Sequence, residues 1–182
     1  MADPQHLPEL DPHDRLTVRL YRSGLVVAAV GCLATGVSLF AGLDAAWVDA
    51  IRLSLLFGTV LAVANLHLYD KRIRWVIVMS ASLGAACWAA SALHPLVGTL
   101  GLGLVLVAVS ALALKEQFCF RVPGMRLVPL FLATATVGHA LQLELVQAVL
   151  LTLSGLLLTI LAVAKLRMPL HFDIGNKSNY QI

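Results

Sequence analysis

Apolar stretches of about 20 residues recur along this chain, and each is long enough to cross a ~30 Å hydrocarbon core as a helix rising 1.5 Å per residue. Gly24–Leu43 is the first, and others follow after short polar breaks. A soluble domain carries about 25% charged residues; this chain of 182 residues carries 13%, against 59% hydrophobic. In lipid the backbone must bond to itself, so the spans are expected to be helices, and the alternating pattern of membrane barrel strands is absent from the sequence. The chain therefore reads as an all-α membrane protein with one domain.

Six spans are expected, at about 24–43, 53–69, 75–93, 96–114, 127–143 and 145–163, between a polar tail at 1–22 and another at 165–182. Pro4, Pro8 and Pro12 predict that the first dozen residues are extended or disordered. From Asp14 onward, Leu16 and Leu20 among Arg15, Arg19 and Arg22 predict a short interfacial helix that feeds span one. A cleaved signal peptide fits poorly, because the leading region is too long and too acidic. Residues 43–49 are expected as a loop, with Arg52 opening span two.

Orientation follows from the positive charges. The 1–22 tail, the 70–74 turn, the 115–126 loop and the C-terminal tail hold 12 of the 13 Lys and Arg residues. In a six-span chain all four segments share one side, so both termini are expected in the cytoplasm. The net charge of +3 then implies contact with anionic headgroups rather than nucleic acid. Small residues at four-residue spacing, Gly24, Ala28, Cys32 and Gly36 in span one and Ala81, Ala85 and Ala89 in span three, predict faces of close helix packing.

Residues suited to chemistry are few. His67, His94 and His139 lie near span ends, and His94 with His139 at similar depth would suit an axial pair for a haem or pigment. A histidine bonded to a neighbouring helix is the plainer reading of each, although intramembrane ionisable groups are functional suspects. Cys32, Cys87 and Cys119 sit at three depths and lack metal-ligand spacing. No phosphate-cradling glycine loop, metalloprotease histidine pair or serine elbow occurs in the sequence. No enzymatic activity, cofactor or metal is expected.

The longest polar interruption is Lys115–Arg126, Lys-Glu-Gln-Phe-Cys-Phe-Arg-Val-Pro-Gly-Met-Arg. Phe118 and Phe120 flank Cys119 and share a face in an extended stretch, while Pro123-Gly124 predicts a turn. Such a loop is an anchored hairpin or, more specifically, a surface where Lys115, Glu116, Phe118, Phe120, Arg121 and Arg126 dock a membrane-protein partner. Lys-Glu-Gln-Phe-Cys-Phe followed by Pro-Gly, in a six-span chain of this length, resembles an uncharacterised integral-membrane family (domain of unknown function 2301) associated with cyanobacteria and their photosynthetic relatives. The resemblance covers about residues 14–170. It implies a thylakoid or cytoplasmic membrane and, by association, a role near photosynthetic complexes; it transfers no catalytic residues.

Three functions remain from the sequence. A non-catalytic accessory or assembly factor for a membrane complex is the preferred expectation. A small transporter or channel is the alternative that three spans on each side of the loop invite, since opposed halves suit an inverted repeat. Against it, no Asp, Glu, Lys or Arg falls at mid-span. The third is a haem- or pigment-binding protein using His139, His94 or His67.

Overall fold

The computed structural model describes residues 9–118 and 122–175. Among the described residues there are seven α-helices, two 3-10 turns and no strand. The first helix, α1, runs Pro12–Phe40. Asp11 accepts from the Asp14 N–H at 2.7 Å and Asp14 from the Asp11 N–H at 3.1 Å, with Pro12 opening the first turn. This reciprocal cap fixes where the helix starts. The interfacial helix and span one, expected as two pieces, are a single helix of 29 residues, for nothing between Leu16 and Gly24 breaks it.

Helix α2 runs Ala45–Ala64, beginning and ending well before the expected Leu53–Tyr69. Ala45 and Ala46 are strong helix formers, so Trp47, Asp49 and Arg52 stand on the helix instead of in a loop. At its other end the Asn65 amide donates back to the Leu61 carbonyl at 2.9 Å. Helix α3, Lys71–Ala89, is capped by Asp70, which accepts from the N–H groups of Arg72 and Ile73 at 2.8 and 3.0 Å. Helix α4 is Pro95–Gln117, α5 is Val128–Ala140, α6 is Glu144–Leu166 and α7 is the short His171–Ile174. Before α5 the expected Pro123-Gly124 turn is present, with Gly124 at φ +82°.

By length and apolarity α1, α2, α4 and α6 are each able to cross a membrane. Helix α3 has 19 residues, its first turn basic with Lys71, Arg72 and Arg74. Helix α5, expected over 127–143, has only 13 residues, or about 20 Å.

Successive helices pack antiparallel, which gives the bundle two ends. One, here the terminal end, holds the start of α1 and the close of α4 and α6; the other is the far end. Helix α1 is central, between α2 and α6. A Cβ on Gly58 would sit 2.3 Å from the Ala28 nitrogen, and one on Gly155 2.4 Å from Leu33 Cα. At both crossings only glycine lets the backbones approach this closely. The expected small-residue face of span one is this seam: Gly24, Ala28, Cys32 and Gly36 are all buried. The main core joins Leu25, Cys32 and Leu55 to Leu102, Leu106, Leu132, Leu151 and Leu158. Helix α3 leans chiefly on α4, where Gly84 and Gly101 meet.

Candidate functional site

Two polar regions lie at opposite ends of the bundle. At the terminal end the buried face of α4, Val105, Leu106, Val109, Leu112 and Ala113, continues one turn further to Glu116, whose side chain is 0% exposed. Its Oε2 meets Lys165 Nζ at 2.6 Å; Oε1 meets Lys115 Nζ at 2.9 Å and accepts the Tyr21 hydroxyl proton at 2.5 Å. Lys165 Nζ also pairs with Asp173 Oδ1 at 2.6 Å. Asp173 Oδ2 in turn takes the Arg22 Nε–H at 2.8 Å, and the Arg22 Nη1 and Nη2 groups donate to the Met168 and Pro169 carbonyls at 2.6 and 2.9 Å.

The result is a chain of charges, Lys115–Glu116–Lys165–Asp173–Arg22, with three cations and two carboxylates. Lys115, the half-exposed member, places its ammonium 4.4 Å from the centre of the Tyr21 ring. Burying charge is tolerable only when each group is paired and hydrogen-bonded, and here the network ties α1, α4, α6 and α7 together. Nearby, in the 65–70 loop beyond the end of α2, His67 Nε2 lies 3.3 Å from the Thr17 hydroxyl. Burial, reinforced by the Lys115 charge, holds its imidazole below the usual histidine value.

The far end is different. A cavity of about 320 Å³ opens where α1 and α5 finish and α2 and α6 begin, lined by Arg52, His139, Gln142, Glu144 and Gln147 among others. Arg52 Nη1 donates to Asp49 at 3.0 Å. Its Nε and the Gln147 Nε2 are buried without a protein partner.

The expected docking residues separate. Glu116 and, in part, Lys115 turn inward, so Glu116 does not stand on the surface as a docking residue would. Phe118 is 76% exposed, and Arg126 is exposed beyond the turn. Phe120 and Arg121, with Cys119 between the two rings, lie outside the described residues. The histidines are not brought together either. His94 caps α4 by accepting from the Leu96 N–H through Nδ1 at 3.1 Å, His139 lines the far-end cavity without it, and His67 is at the terminal end.

Tyr21, Arg22, Lys165 and Asp173 were not among the expected site residues, nor were Arg52 and Gln147. The available signal was helical spacing. Lys165 continues the face of Leu151, Ser154, Leu158 and Leu161, and Arg22 precedes that of Leu25, Ala29 and Cys32.

Comparison with known proteins agrees with this membrane bundle. The model of an uncharacterized integral membrane protein family, DUF2301, matches residues 61–182. The chain belongs to that family. A protein of Haemophilus influenzae (strain Rd), described as an uncharacterized protein, is 36% identical over 183 residues and covers the full length of both chains. No solved structure matches. DUF2301 membership and the apolar helices make this a multi-pass integral membrane protein. The family is not restricted to cyanobacteria, and the thylakoid and photosynthetic associations expected from the resemblance have no support in these relatives.

Proposed function

We propose that this DUF2301 protein crosses the membrane six times with both termini in the cytoplasm, and that it serves as a non-catalytic accessory or assembly factor. The topology reading rests on the antiparallel order of the helices and on 12 of 13 basic residues falling in four sequence segments that a six-span chain puts on one side. Contact of that end with anionic headgroups is part of the same reading.

The accessory reading is carried by one observation. Just after the buried Glu116, the chain presents Phe118 at 76% exposure, with Arg126 exposed beyond the turn. An exposed aromatic and a cation mounted on a fixed helix end are the kind of anchors that interfaces favour. The ionisable groups behind them bond to one another, which supports a structural role for them over an enzymatic one. Purification from native membranes tests the reading. Phe118→Ala with Arg126→Glu should strip a stoichiometric partner that the unaltered protein retains. Retention by the double variant, or arrival of the unaltered protein alone, would count against docking. Cysteines introduced at Asp70 and Gln142 should label from opposite faces if the topology is right.

The transporter alternative draws on the far-end cavity. Against it, the glycine contacts of α1 with α2 and α6 close the bundle between the cavity and the terminal end.

A further inference from the structure

We propose that the far-end cavity binds a small oxyanion group, a carboxylate or a phosphate. Two of the side chains that line it carry an orphaned donor. Gln147 is 2% exposed and, although its side chain bonds His139, its amide Nε2 has no partner; the Arg52 Nε–H, on a side chain 11% exposed, has none either. A buried donor without an acceptor costs its full desolvation, and an apolar occupant would leave both unsatisfied. A cation would face them directly. An oxygen acid of a few atoms is the class of group that offers acceptors to such donors, and a cavity near 320 Å³ has room for it.

The helix ends around the cavity point the same way. Helices α1 and α5 finish here with their last carbonyls already occupied. Leu43 N–H bonds Ser38 O at 3.1 Å and Leu143 N–H bonds Gly138 O at 2.8 Å, each around a left-handed residue, Gly42 at φ +62° and Gln142 at φ +58°. Helices α2 and α6 begin here, and neither Asp44 nor Leu143, at the capping positions, makes a side-chain cap bond. Carbonyls are satisfied while the opening N–H groups of α2 and α6 lack a capping side chain, so two positive helix poles reinforce Arg52. The opposing charges are peripheral: Asp49 holds only Arg52 Nη1 and is 58% exposed, and Glu144 is exposed at the rim.

The experiment uses the full chain, delipidated in detergent, titrated calorimetrically with inorganic phosphate and with butyrate; a parallel native preparation is read by mass spectrometry for retained phosphatidylglycerol. Saturable binding of either soluble probe is expected if the source is a free acid, and a retained anionic lipid if it is a headgroup. In both cases Arg52→Gln and Gln147→Glu should reduce occupancy at least tenfold, while Arg126→Gln should leave it unchanged. If Gln147→Glu fails to fold, Ala45→Trp decides, because it fills the cavity mouth from an exposed position and leaves the donors in place. Absence of all three ligands, or binding indifferent to Arg52→Gln and Ala45→Trp, would overturn the proposal and leave the cavity to water.

Discussion

The two polar ends of this bundle handle buried charge in opposite ways. At the terminal end Glu116 is 0% exposed and meets two ammonium groups and a phenol, while Asp173 joins Lys165 to Arg22. At the far end Arg52 has one exposed partner, and it and Gln147 each keep a buried donor unfilled. A network of mutually paired charges specifies how helices fit together; donors left without a partner leave binding capacity over. The distinction separates structural polar groups from candidate ligand groups without reference to any known activity. Breaking one end should therefore cost stability, and breaking the other should cost binding.

The largest effect is expected at Glu116. Glu116→Ala takes from Lys165 and from the Tyr21 hydroxyl the carboxylate that each of them bonds, and removing one partner from a buried pair costs about 3–5 kcal/mol. Thermal unfolding in detergent should show a lowered midpoint. Lys165→Met added to Glu116→Ala should recover part of the loss, since it removes the cation that the missing carboxylate had neutralised; a double variant worse than the sum would mean that Lys165 is held mainly by Asp173.

Next in size is the seam that joins the two ends. Gly155→Leu places atoms where Leu33 Cα stands 2.4 Å from an added Cβ, and overpacking of that kind costs about 1–3 kcal/mol or more. It should lower the unfolding midpoint without abolishing the response to Glu116→Ala, because the seam lies along the bundle and the network at its end. Loss of stability no greater than that of Gly138→Ala, where an added Cβ makes only ordinary contacts at 3.5 Å, would mean that α1 and α6 are free to part.

How much of this was legible in the sequence depends on what kind of signal each feature leaves. Helical spans announce themselves by length, and Asp70 and Pro95 mark real helix starts. The α2 boundary was misplaced because Asp49 and Arg52 look like loop charges, whereas Ala45-Ala46 extend the helix outward past them. The network was hidden for a different reason. Its pairs lie far apart in the chain, Tyr21 with Glu116 and Arg22 with Asp173, and no local pattern joins them. A membrane helix is also apolar all round, so the inward stripe that would aim Glu116 and Lys165 at each other has no polar face to set it off. Phe118 and Lys115 were read as neighbours on one surface; the helix turns one outward and the other half inward. Arg52 and Gln147 come to line one cavity only because the starts of α2 and α6 reach the same end of the bundle.

Asp70→Ala offers a calibration at the terminal end but outside its charge network. It removes an acceptor from two N–H groups at the start of α3, a loss of about 1 kcal/mol for a helix N-cap. Because α3 leans mainly on α4, the same substitution should raise protease or hydrogen-exchange sensitivity near residues 70–75 ahead of global unfolding. Uniform destabilisation would instead tie α3 to the whole bundle.

The smallest stability effect is expected at Arg52, and it is the sharpest test of the contrast. Arg52→Gln removes an ion pair whose acid is 58% exposed, and pairs of that kind contribute about 0–1 kcal/mol. The substitution also removes a buried donor, Nε, that no protein acceptor satisfies, so part of even that small cost is offset. An unfolding midpoint close to that of the unaltered protein, together with lost oxyanion binding, would make the far end a site and the terminal end a clamp. A midpoint that falls as far as that of Glu116→Ala would show that Arg52 is structural after all. The asymmetry between the ends would then be one of geometry rather than of role.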